Sequence, residues 1–188
     1  MYGIVKSVVL SGQDLLIPHI EVVFTSSRDA PLRVRTFLNE LTYIFPNSIK
    51  INRGRQSLNE IISKSIYLRA KYLILINIRK GNPGRFKVYD LTNRTVKYNF
   101  IIYGVTLLTE LKLPRTIIKR GCIGRIEEES IKNMLIDLGY LYLENCDAYA
   151  NGEYLENSSI YELKFTKDNK ILGPIIRFLL YDRNKNFN

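Results

Sequence analysis

The chain has 188 residues, 46% of them apolar, and a formal net charge of +10, enough apolar content to bury a core as one domain or as two small associated halves. Its apolar runs, such as YLILINI at 72–78, are too short for a helix across a bilayer, where about 20 residues are needed. The charge is lopsided: residues 1–94 carry 15 basic and 6 acidic side chains, a net +9, against 13 and 12 in residues 95–188, a net +1. Charge concentrated in this way points to a polyanionic partner, nucleic acid first.

Near the N-terminus Lys6 precedes a short apolar run, but polar SGQD (11–14) follows where a cleavable leader needs small residues, so a cytoplasmic protein is expected. IEVVF (20–24) reads as a buried strand feeding the polar turn TSSRDAP (25–31). Val34, Phe37, Leu38, Leu41, Ile44 and Phe45 then recur at helical spacing, with Asp29 and Pro31 as the start signal and Pro46–Asn47 as the stop. A second strand, SIKINRG (48–54), leads to SLNE, where Ser57 caps a helix and Glu60 reaches back to complete a capping box. Leu58, Ile61, Ile62 and Ile66 give that helix its apolar face. YLILINIRK (72–80) is a third strand, GNPGR (81–85) a turn, and FKVYDL (86–91) the hairpin partner.

Residues 95–108 read as one long strand or a pair, with Val96, Tyr98, Phe100 and Ile102 alternating. A helix follows, with Glu127, Glu128 and Glu129 near its positive end, an apolar face of Ile131, Met134, Leu135 and Leu138, and Gly139 as its stop. YLYLE (140–144), SIYELKF (159–165) and PIIRFLLYD (174–182) are strand-like, broken by NGE (151–153) and DNKILGP (168–174).

Consecutive strand-to-helix turns of an α/β sheet emerge along one edge, so Arg28, Arg33, Arg35, Arg53 and Arg55 are expected to face one surface, joined by Lys80 and Arg85. The arginine fork matches phosphate, and the hydroxyls and amides of Ser26, Ser27 and Ser57 add neutral donors. Gly54 would let a sugar-phosphate approach the backbone. Other candidates fall away. GNPG (81–84) and GCIG (121–124) lack the lysine-serine pair or spacing of nucleotide loops, and the three glutamates point in different directions around a helix. Cys122 and Cys146 lack neighbours with zinc-ligand spacing and read as buried or partly buried thiols, and His19 reads as a structural or exposed imidazole. The tyrosines, among them Tyr72, Tyr98 and Tyr103, sit in strand patterns and read as sheet packing. No metal, cofactor, small-molecule substrate or catalytic constellation is expected.

VVFTSSRDAPLRVRTFLNELTYIFP (22–46), INRGRQSLNEI (51–61) and LILINIRKGNPGRFKVYDL (73–91), in that order and spacing, together resemble the Brix domain of ribosome-biogenesis proteins. The likeness is to short archaeal members related to the eukaryotic small-subunit processing factor, and LGPIIRFLLYD (172–182) looks like the family's closing strand. The resemblance implies an α/β fold of two pseudo-symmetric halves, each similar to the anticodon-binding domain of class IIa aminoacyl-tRNA synthetases. It places the Brix domain at 19–183, the halves at 19–94 and 95–183, and a tail at 184–188, and makes residues 1–18, which precede the family's usual start, an N-terminal extension. It also implies binding of precursor ribosomal RNA, association with other assembly proteins, and no catalysis. The family's basic turns fall on Ser26, Ser27, Arg28, Arg53, Gly54, Arg55, Ser57, Lys80, Asn82 and Arg85, whereas residues 110–125 do not follow its pattern. Two rival functions share the same charge: a module docking an acidic protein, and a tRNA-binding module.

Overall fold

The computed structural model describes residues 19–156 and 158–180; the expected extension at 1–18 and tail at 184–188 lie outside them. The first strand, β1 (Val22–Ser26), is buried throughout because it lies between two parallel neighbours. After it come α1 (Leu32–Ile44), β2 (Ser48–Lys50), α2 (Leu58–Tyr67), β3 (Tyr72–Arg79), β4 (Asn82–Asp90) and β5 (Thr95–Thr106). A connection over 107–120 leads to β6 (Gly121–Ile126), α3 (Glu129–Asp137), β7 (Ala148–Tyr154), β8 (Ile160–Lys167), β9 (Lys170–Ile171) and β10 (Ile175–Leu179). All ten strands form one sheet in the order β2-β1-β3-β4-β5-β10-β8-β7-β6, with β9 on β8.

The strand period of two decides which side each residue serves. Val22 and Phe24 of β1, Ile74 and Ile76 of β3, and Phe86 and Val88 of β4 join the main core, which includes the buried faces of α1 and α3. Val23 and Leu73 turn to the other face and meet Ile61 of α2 in a smaller cluster. The expected helices form where their local signals lie. All six apolar residues of the α1 pattern are buried, and α2 carries both hydrogen bonds of its capping box, Ser57 N donating to Glu60 and Glu60 N to the Ser57 hydroxyl. Ile66, expected on α2's buried face, is 41% exposed; Ser65 takes the inner place and donates to the Ile61 carbonyl.

From its two ends inward, the sheet repeats itself. The parallel pair β1/β3 followed by antiparallel β4 and β5 is matched by the parallel pair β6/β7 followed by antiparallel β8 and β10. Where Val23 pairs with Ile49 of β2, Cys122 of β6 makes a single parallel bridge to Leu141. YLYLE (140–144) therefore supplies one bridge instead of the expected strand.

Three further expectations are corrected. The turn after β3 is only Lys80–Gly81, both at positive φ (48° and 77°) as a two-residue hairpin turn requires, so Asn82–Arg85 already belongs to β4. Pro83 is tolerated there because the register shifts between Asn77 and Ile78. NGE (151–153) lies inside β7, where an added Cβ on Gly152 would run into the Tyr161 ring, so the glycine serves close packing instead of a break. Cys122 and Cys146, expected as thiols, form a disulfide with their Cα atoms 5.9 Å apart, because the chain returns past β6 just before β7 begins.

The connection over 107–120 is pinned to α1. The buried Glu40 carboxylate accepts from the Leu108 and Thr109 amides, and Ile118 N donates to the Tyr43 carbonyl. Burial pushes the Glu40 carboxyl above its ordinary range against the pull of those two amides.

Candidate nucleic-acid interface

Because β2 and β3 both run parallel to β1, the segments leaving β1 and β2 emerge side by side, and the Thr25 hydroxyl ties them by donating to the Ile51 carbonyl (2.9 Å). Between them lies a cavity of about 430 Å3 whose lining includes Ser26, Ser27, Arg35, Arg53, Gly54 and Arg55. Six of the twelve residues expected at an anion-binding surface thus meet at one place. Gly54 sits at φ 54°, which favours glycine, with open space where a Cβ would be.

Backbone carbonyls orient two of these arginines. Arg35 Nε donates to Ala30 O (2.7 Å) and Arg53 Nε to Gln56 O (3.0 Å), which leaves their terminal nitrogens directed by no carboxylate. Among the described residues, Arg28, Arg35, Arg53 and Arg55 form no ion pair, whereas Arg33, Arg125 and Arg177 each hold a glutamate. Lys50 adds a fourth cation to the cavity wall, and its ammonium is pushed below its ordinary range by burial and by Arg35. Asp29, at the turn after β1, is the one acid of the lining.

The other expected residues lie elsewhere or serve the fold. Arg28 is exposed beside the cavity without lining it. Arg33 is held by Glu110 (Nε to Oε1, 2.8 Å), the Val105 carbonyl (2.9 Å) and the Asn82 side chain, a knot joining α1 to β4 and to the end of β5. Asn82 also donates to the Lys80 carbonyl. The Ser27 hydroxyl accepts from Ile78 N, and Ser57 caps α2. Lys80 and Arg85 are exposed outside the cavity, Arg85 next to Asn99. Arg33→Ala should lower stability by about 1 kcal/mol in denaturant titration, since a half-exposed pair contributes little beyond its hydrogen bonds, and should leave the salt dependence of any anion binding at the cavity unchanged.

Sequence reasoning did not select Lys50 or Asn52. Their signal was position alone, at the end of β2 and just beyond it, on the edge where β1 also ends. The tyrosines divide: Tyr72 and Tyr98 hydroxyls both donate to Asp137 of α3 (3.2 and 2.6 Å), while Tyr103 is 65% exposed. A second cavity, of about 470 Å3, is lined by Lys119, Lys167 and Lys170, but Asp147 and Asp168 offset much of their charge. Among the described residues no group of three potential metal ligands occurs, and no helix is long and apolar enough to cross a membrane.

No family model matches the chain. It is 76% identical over 176 residues to a probable Brix domain-containing ribosomal biogenesis protein of Sulfurisphaera tokodaii, an alignment covering 93% of this chain and 100% of that protein. A protein of the same description from Saccharolobus solfataricus is 38% identical over 162 residues, covering 82% and 95%. Among solved structures, a probable ribosomal biogenesis protein from Aeropyrum pernix K1 matches with a TM-score of 0.71 at 23% identity, over 87% of this chain and 98% of that one. The archaeal Imp4-like protein Mil matches with a TM-score of 0.68 at 18% identity, over 85% and 97%. These two show a shared fold.

Proposed function

The chain belongs to the Brix domain family of ribosomal biogenesis proteins, and from that premise we propose that it binds precursor ribosomal RNA through the arginines around the β1–β2 cavity. The observation that carries this reading is that three arginines without carboxylate partners, Arg35, Arg53 and Arg55, line one cavity, with Arg28 exposed beside it, in the half of the chain that holds nearly all the net charge. Unpaired guanidinium groups repel one another, and a row of phosphates relieves that repulsion while releasing the counterions of the RNA. The protein acts by binding, without turnover, in the cytoplasm, and assists folding, processing or subunit assembly of the RNA alongside other assembly proteins.

On the same reading the chain consists of two pseudo-repeats of the anticodon-binding kind. The matched strand orders support a repeat but favour a boundary after β5 (Thr95–Thr106), which corresponds to β10, over the expected one between residues 94 and 95; β5 and β10 pair at the seam.

Arg53→Ala with Arg55→Ala should weaken RNA binding and flatten the slope of log K against log salt by about 0.7 for each phosphate that is no longer neutralised on single-stranded RNA. Both side chains leave an irregular segment outside the core, so thermal stability should hold. Crosslinking of the protein to RNA in its own cells, with sequencing of the attached RNA, should recover precursor ribosomal RNA from the wild type and much less from the double variant. Recovery of transfer RNA, or of an acidic protein with no RNA, would sink the proposal.

A further inference from the structure

Resting on that RNA-binding reading, we propose that the β1–β2 cavity takes one unpaired base of single-stranded RNA, with the neighbouring phosphates on Arg53 and Arg55. A surface that reads only backbone needs no cavity. This site has one, of about 430 Å3, against about 30 Å3 for one water and roughly 300–1,000 Å3 for sites that take small organic ligands.

The lining is divided as a nucleotide is divided. Leu38, only 2% exposed, and Ala30 contribute apolar surface to the lining, which a phosphate would not favour and the face of a nucleobase would. Asn52, exposed and lining the same space, offers both a donor and an acceptor to a base edge, and Asp29 offers acceptors alone. Arg35 has its Nε held by Ala30 O, which limits the swing of its guanidinium plane, and such a plane can stack on a base. Arg53 and Arg55 stand on either side of Gly54 on the same wall, where exposed glycine backbone lets a sugar-phosphate come close.

The Lys119–Lys167–Lys170 cavity is the contrast within the same molecule. It has similar volume, but its cations are lysines, point charges without a stacking plane, and two aspartates sit among them. Both cavities have apolar side chains in their lining, Ile117 and Leu172 in the second, but of the two only the one between β1 and β2 also has planar cations and a side-chain amide. A base paired in a duplex cannot enter it, so the site selects unpaired RNA.

The test uses the full chain and two labelled probes of equal length and charge: a uridine octamer, and an octamer in which every base is replaced by an abasic ribose spacer. At one ionic strength the abasic octamer should bind about tenfold more weakly, as the absence of base stacking requires, while the two salt slopes stay alike. Asn52→Ala, a change on an exposed side chain, should narrow the gap between the probes. Equal affinity for both octamers, with Arg53→Ala/Arg55→Ala still weakening both, would overturn the base pocket and leave phosphate binding standing. Salt-dependent binding of neither octamer would overturn both readings.

Discussion

Phe45→Ala should destabilise the protein by about 3–5 kcal/mol, more than any other substitution proposed for this chain. Phe45 follows the last turn of α1, is 2% exposed, and sets its ring against three others: Phe24 of β1 at 5.5 Å, Tyr140 after α3 at 5.4 Å and Phe165 of β8 at 5.8 Å between centroids. The first of these partners comes from the N-terminal part of the sheet and the other two from the C-terminal part. Truncation removes the edge-to-face packing and leaves a cavity between elements that cannot close it separately. Ile44 O also accepts from the Tyr140 hydroxyl (2.8 Å), so the backbone at this corner is tied across the same boundary.

The expected readout in denaturant titration is a lower midpoint with one cooperative transition retained, because α1 and α3 pack into one continuous core. Phe45→Leu, which keeps most of the volume, should cost much less. Two separate transitions in Phe45→Ala would mean that the halves hold together mainly through this ring. An unchanged midpoint would contradict this packing.

What was legible in the sequence was local. The apolar spacing of α1, the capping box of α2 and the glutamate-rich start of α3 are each written within one or two helical turns, and the chain folds there as its local signals say. The adjacency of the Arg53–Arg55 turn to the segment after β1 was also legible, because it follows from two parallel strands. Arg33 shows the limit. It shares a helix and a charge with Arg35, yet its partner Glu110 lies 77 residues away, in the segment 110–125 that matched no family pattern. Only the packed chain distinguishes the two arginines. Gly152 fails for the same reason: NGE has the composition of a turn, and what makes it strand is the Tyr161 ring on a neighbouring strand. Ile66 reflects the narrowness of α2's buried stripe, which takes in fewer side chains than the periodic pattern offered.

Replacing Cys122 and Cys146 by serine, or reducing the wild type, should lower stability by about 3 kcal/mol, the loop-closure entropy of a cross-link spanning 24 residues. For a chain of this length that corresponds to a fall in Tm of roughly 10 °C. Cys122 holds the place in β6 that Val23 holds in β1: Val23 pairs with Ile49 and Leu73, Cys122 with Leu141 and Tyr149. Both residues are fully buried and both face away from the main core. Val23 is covered by Ile61 of α2, but the C-terminal part has no second helix between its bridge at Leu141 and β7. Cys146 arrives there instead, 1% exposed, and the cross-link does for β6 what apolar packing under α2 does for β1.

A scan of Tm with and without reductant separates this from simple loss of side-chain packing. The wild type should fall to the level of the double serine variant when reduced, and the variant should not respond. Equal Tm in both conditions, with two thiols titrated in the untreated protein, would rule out the disulfide. The proposed RNA binding should survive reduction below the new Tm, because the cavity with Arg53 and Arg55 is built entirely from β1, α1, β2 and the segments that follow the two strands, none of which the disulfide touches.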